Sequence, residues 1–169
     1  MMLLNSSILF KMKRTNMFKK KHTFSFSSVL QTTPEKLFDF HSDTNNLPAI
    51  TPPWIKVSIV DLTLPLQEKS EISLDIKQFG VTMRWVMQIA ELKSPNRVCD
   101  QALKSPFKSF YHEHVFTAIN DTETKLEDII TFELPLYPLS WVALPFVKRD
   151  MKKMFAYRHE KSKEILEDG

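Results

Sequence analysis

Three side chains in the second half of the chain have the types and spacing that chemistry requires. Over residues 107–119 the sequence alternates, so that Phe110, His112, His114 and Phe116 share one face of a strand. Over residues 124–134 the more apolar face carries Leu126, Asp128, Ile130 and Phe132. A hairpin turning about Asp121 sets Phe116 beside Leu126, His114 beside Asp128, and His112 beside Ile130. Two imidazoles and a carboxylate then point into apolar surroundings, where polar groups need partners. A His114–Asp128 pair satisfies both groups and fixes the imidazole tautomer.

Three uses fit this arrangement. It can be a self-satisfied polar cluster of the core. It can orient the polar end of a ligand in an apolar pocket. It can also do chemistry: His-x-His with Asp128 is a zinc-ligand pattern, and His with Asp is a general-base pattern. No further His or Cys cluster and no Gly-x-Ser-x-Gly nucleophile turn stands in the sequence. The reading therefore assigns no catalytic residue, no metal and no cofactor. Two glycines in all exclude a phosphate-cradling P-loop or a Rossmann turn.

The elements that must position these groups follow from period and punctuation. Residues 22–31 alternate as a strand. Thr33 is a helix N-cap with Pro34 in the first turn, and Leu37, Phe38 and Phe40 follow. A second short helix begins at Asp43 and stops before Pro52 and Pro53. Strands are then expected over 54–62, 70–78, 81–92, 96–103, 107–119 and 124–134, with Phe79-Gly80 and Ser105-Pro106 as turns. Gly80 is expected at positive φ. In the strand over 81–92, Met83, Trp85 and Met87 share the inner face and Arg84 points out. Pro135, Pro138 and Pro145 mark a linker, and residues 146–166 read as one long amphipathic helix ending near Asp168. Met151, Met154, Phe155 and Arg158 lie along one face of it. The Arg158 guanidinium is expected at the cavity mouth, beside an acid such as Asp128, or in a surface ion pair.

The composition, 43% hydrophobic and 25% charged, suits one globular domain of 169 residues. The net charge of +3 is misleading, because six basic residues and no acid precede residue 22. The remainder carries 17 basic against 20 acidic side chains, so the domain itself offers nothing to nucleic acid. Residues 1–21 are read as a disordered extension and 22–169 as the domain. Cys99 is the one cysteine, which excludes an intrachain disulfide and fits a cytoplasmic setting. No apolar run approaches the ~20 residues of a membrane span.

Element order is strand, two short helices, about six strands, and a long helix: an α+β layer arrangement. At this point the sequence resembles the START-like helix-grip (SRPBCC) superfamily, in its ligand-binding, polyketide-cyclase-like branch. The resemblance rests on Pro34-Glu-Lys-Leu-Phe-Asp-Phe-His41, Asn46-Leu-Pro-Ala-Ile-Thr-Pro-Pro53 and Phe110-Tyr-His-Glu-His-Val-Phe116. Thr124-Lys-Leu-Glu-Asp128, Leu134-Pro135 and Phe155-Ala-Tyr-Arg158 complete it. It implies a curved antiparallel sheet gripping the C-terminal helix, with a cavity between them for a hydrophobic molecule such as a lipid, quinone or polyketide. The residues expected to meet that molecule are Met83, Trp85, Met87, Phe110, His112, His114, Phe116, Asp128, Ile130, Met154 and Arg158. The alternative is a cyclase or dehydratase using His112, His114 and Asp128 as acid–base groups. The expected partner is the small molecule, with transient membrane contact through the apolar, basic tail as a secondary expectation and the oligomeric state left open.

Overall fold

A computed structural model describes residues 9–11, 21–136 and 138–167. Eight antiparallel strands form one sheet in the order β1-β2-β8-β7-β6-β5-β4-β3. They span Leu9–Lys11 (β1), Lys21–Leu30 (β2), Lys56–Leu62 (β3), Glu71–Gln78 (β4), Val81–Lys93 (β5), Arg97–Lys104 (β6), Ser109–Ala118 (β7) and Thr124–Glu133 (β8). Helix α1 (Pro34–Ser42) and a short 3-10 turn (Thr44–Asn46) follow β2, and helix α2 (Leu144–Glu167) closes the chain. This is the helix-grip α+β arrangement expected from the sequence. Of the expected N-terminal extension, only Leu9–Lys11 and Lys21 lie among the described residues, as do the helix residues up to Glu167. Leu9–Lys11 pairs with Ser25–Ser27 of β2. No described helix is long and apolar enough to cross a membrane.

Alternation positions the interior. In β2, His22, Phe24, Phe26, Ser28 and Leu30 are buried while their neighbours are half-buried or exposed, and β8 buries Thr124, Leu126, Asp128, Ile130 and Phe132 in the same way. The β7–β8 register is the one expected: Phe116 faces Leu126, His114 faces Asp128, and His112 faces Ile130. Thr33 caps α1, its hydroxyl accepting from the Lys36 amide at 3.4 Å, and Pro34 opens the helix. The β4–β5 turn places both Phe79 (φ 51°) and Gly80 (φ 79°) in the left-handed region, as a two-residue type I′ hairpin requires. Gly80 adopts this at no steric cost, whereas Phe79 does so against its Cβ.

Helix α2 begins two residues earlier than expected. Pro145 stands in its first turn, where a missing N–H costs nothing, and so belongs to the helix rather than to the linker. Its 24 residues make a rod of about 36 Å. The stripe it buries is Leu144, Met151, Phe155, His159 and Ser162. Phe155 stacks on Phe26 at 4.8 Å, and both belong to a cluster with Phe24, Ile130, Phe132, Leu144 and Met151. A second cluster sits under α1: Leu30, Leu37, Phe38, Val98, Phe116 and Leu126.

Candidate functional site

Between the sheet, α1 and α2 lies a pocket of about 680 Å³. Its walls are mainly apolar: Ile72, Leu74, Met83, Trp85 and Met87 from β4 and β5, Phe110 from β7, and Met151, Met154 and Phe155 from α2. Trp85 is edge-on to Phe110, with ring centres 5.3 Å apart. One wall is different. There His41, Asp100, His112, His114 and Arg158 reach the pocket together.

Asp128 anchors that wall from behind. It is 3% exposed, and three imidazoles surround its carboxylate. His112 Nε2 donates to Oδ1 at 3.1 Å and His159 Nε2 donates to Oδ2 at 2.8 Å. His114 Nδ1 lies 2.5 Å from Oδ1, but off the axis of a good hydrogen bond, so this contact is an electrostatic one. His159 is fixed from its other side, where Nδ1 accepts the Ser28 hydroxyl at 2.8 Å. Burial works to raise the Asp128 carboxyl. Electrostatic coupling to His114 and the hydrogen bonds from the imidazoles override it and hold Asp128 well below the usual carboxylate range.

Asp100 has the opposite fate. It stands beside His112 across the β6–β7 ladder. Its Oδ2 is 3.8 Å from His112 Nδ1 and 3.8 Å from His114 Nε2, too far for hydrogen bonds. Burial pushes its pKa up to about 6, with His114 and Arg158 pulling the other way. His114 is lowered by burial and by neighbouring His112. His41, whose ring lies 5.0 Å from that of His114, is held at about 3, first by burial and then by His114. Its Nδ1 donates to the Leu37 carbonyl at 2.9 Å. Burial lowers Arg158 against the attraction of Asp128 and Asp100, but Arg158 forms no ion pair among the described residues; its guanidinium lies 5.4 Å over the Phe155 ring.

Of the side chains expected at a ligand, Met83, Trp85, Met87, Phe110, His112, His114, Met154 and Arg158 line the pocket. Phe116, Asp128 and Ile130 do not. Phe116 is covered by α1, meeting Phe38 edge-on at 6.5 Å. Ile130 is sealed in the α2 cluster, and Asp128 is screened by its imidazoles. Arg84 points outward, in an ion pair with Asp75. Sequence reasoning missed Asp100, His159 and His41. The signals existed: a β6–β7 hairpin folded about Pro106 puts Asp100 opposite His112, and Met151, Phe155 and His159 repeat at steps of four.

Solved structures share this architecture. A START superfamily protein from Mycobacterium smegmatis superposes with TM-score 0.67 at 15% identity, over 87% of this chain and 98% of that one. Major latex-like protein 151 from Panax ginseng gives 0.63 at 11%, over 88% and 99%. The di-domain aromatase/cyclase StfQ of the steffimycin biosynthetic pathway gives 0.70 at 10%, over 88% of this chain and 52% of that one. At these identities the likeness speaks for the fold alone. No curated protein matches the sequence. The family model described as "Polyketide cyclase / dehydrase and lipid transport" matches residues 30–156, which is most of the chain, and with the helix-grip fold around it the chain belongs to that family.

Proposed function

We propose that this protein binds a hydrophobic small molecule, with the apolar body against Trp85, Met83, Met87 and Phe110 and a polar end toward His112, His114, Asp100 and Arg158. The observation that carries this is the pocket itself: about 680 Å³, apolar on most sides, with its titratable groups gathered on one wall. That is the chemistry of a site holding an amphipathic or oxygenated lipid-like molecule in one orientation. The lipid-transport part of the family description supports the reading. Native mass spectrometry of the purified full chain should show a co-purifying lipophilic adduct, released and identifiable after organic extraction. A chain that is always empty, and that takes up no lipophile from a cell extract, rejects it.

The pocket mouth suggests how such a ligand enters. Phe79, Leu136, Leu139 and Phe146 line the pocket and are also exposed, and Val142 beside them is 89% exposed. Phe79 and Phe146 touch across the mouth, with ring centres 5.3 Å apart. Lys148 and Arg149 follow in α2. An apolar rim flanked by cations fits transient contact with an anionic membrane surface.

A second reading has its own observation. His112 faces the pocket and is oriented by a buried carboxylate, which is what a general base needs. On this reading the protein is a cyclase or dehydratase, and His112→Ala abolishes turnover of a poly-β-ketone substrate while leaving its affinity nearly unchanged.

A further inference from the structure

We infer that Asp100, His112 and His114 form a site for one divalent transition-metal ion, zinc being the ion their donor set suits. The three ligand atoms are Asp100 Oδ2, His112 Nδ1 and His114 Nε2, and they lie within 4.8 Å of one another. Each imidazole nitrogen is 3.8 Å from the carboxylate oxygen. Ligand atoms on a tetrahedral zinc sit about 3.4 Å apart, so each nitrogen need approach the carboxylate oxygen by about 0.4 Å. The two nitrogens, within 4.8 Å of each other, have up to about 1.4 Å to close, which rotation of the His112 and His114 side chains must supply.

The far nitrogens strengthen the case. Asp128 contacts His112 through Nε2 and His114 through Nδ1. The Nε2 hydrogen that His112 gives to Asp128 leaves the lone pair of its neutral ring on Nδ1, facing Asp100, and His114 in its Nδ1–H tautomer turns the Nε2 lone pair to the same oxygen. Three electron-pair donors thus lie within 4.8 Å of one another with no hydrogen bond among them. A carboxylate behind ligating imidazoles is the usual support of a metal site, fixing tautomer and ring direction. Charge agrees as well. Asp100 and Asp128 face a single guanidinium, Arg158, so with neutral imidazoles the wall carries one negative charge in excess. Two protein nitrogens and one oxygen leave a fourth tetrahedral position, and all three residues line the pocket. The inference stands whatever fills the rest of the pocket.

The test uses the full chain, stripped with a chelator and then loaded with zinc sulfate. Elemental analysis after gel filtration should find one zinc per chain. Cobalt(II) in its place should give the intense visible bands of a four-coordinate ion, and magnesium should not compete. Asp100→Asn should weaken zinc at least a hundred-fold, as should His112→Ala. Asp128→Asn, which keeps all three ligands but loses their support, should weaken it about ten- to a hundred-fold. Asp100 makes no side-chain hydrogen bond among the described residues, so Asp100→Asn should fold normally by circular dichroism and carries the test should His112→Ala not fold. Zinc below one equivalent in the wild-type chain, or unchanged affinity in Asp100→Asn, overturns the inference.

Discussion

The two halves of the sheet use the same alternating pattern to opposite ends. On the β2–β8 side, every second residue is pressed against α2, and Phe24, Phe26, Ile130 and Phe132 are at most 1% exposed. On the β4–β5 side no described helix packs across the inner face; Ile72, Leu74, Met87 and Ile89 form a small cluster of their own, while Met83, Trp85 and Ile76 are half-buried and line the pocket. Helix α2 covers one half of the sheet and leaves the other half to enclose a pocket. The polar wall stands at the seam, with the Asp128 carboxylate on the packed side and Asp100, with the ring nitrogens that face it, on the open side. Alternation therefore tells which residues face inward, but not whether inward means core or cavity.

The largest expected effect tests that division directly. Phe26→Ala should cost about 3–5 kcal/mol, because it removes a stacked ring and leaves a hole that α2 cannot fill. Trp85→Ala should cost less, about 2–3 kcal/mol, since its ring borders the pocket on one side and packs edge-on against Phe107 and Phe110 on the other. Denaturant melts of both variants compare the halves. Equal losses would mean that the β4–β5 side is as tightly packed as the other. Ligand uptake should fall for Trp85→Ala alone.

Next comes the seam. Asp128→Asn removes the charge that holds three imidazoles while keeping the shape. A loss of about 2–3 kcal/mol in thermal or chemical melts is expected, since hydrogen bonds to a charged, buried partner are the strong class. A change within 0.5 kcal/mol would show the cluster to be ornamental to folding.

These elements also show how far the sequence could be read. The β7–β8 register came from one turn at Asp121 and a period of two, and it matched at every pair that the site needs. The same operation about Pro106 yields Asp100 beside His112. His159 was harder, because a histidine in a charged helix segment looks solvated until its spacing from Met151 and Phe155 is weighed. Phe116 and Ile130 share a face with pocket residues, and the alternation alone therefore assigns them to the ligand. What covers that face is decided by the path of α1 and α2 across it, and no local pattern encodes that path.

A smaller effect is tied to pH. His41 is neutral in the folded chain down to about 3, against 6.5 for the ordinary imidazole. The unfolded chain therefore binds the extra proton first as pH falls. His41 thus subtracts stability progressively between pH 6.5 and about 3, by at most about 1.4 kcal/mol per pH unit, and contributes nothing above that window. His41→Gln should flatten the slope of stability against pH in this range. An unchanged slope would place the acid sensitivity in other groups.

The smallest effect on stability, and the sharpest on function, belongs to the rim of the pocket. Val142 and Leu139 are 89% and 78% exposed and stand in the link between β8 and α2. Replacing both with Asp removes little buried area, so melting should shift by no more than about 0.5 kcal/mol. At a membrane the same change is severe: it removes two apolar anchors and sets two negative charges against an anionic surface. Wild-type chain should co-sediment with vesicles of mixed phosphatidylcholine and phosphatidylglycerol, more weakly at high salt because Lys148 and Arg149 contribute. Val142→Asp with Leu139→Asp should cut that binding more than ten-fold, and should slow uptake of a vesicle-borne lipophile without changing the pocket. The comparison then has a third region, stable without being buried, whose exposed apolar surface serves delivery rather than folding. If the wild-type chain ignores vesicles of every charge, the rim has no membrane role, and ligand entry proceeds from water.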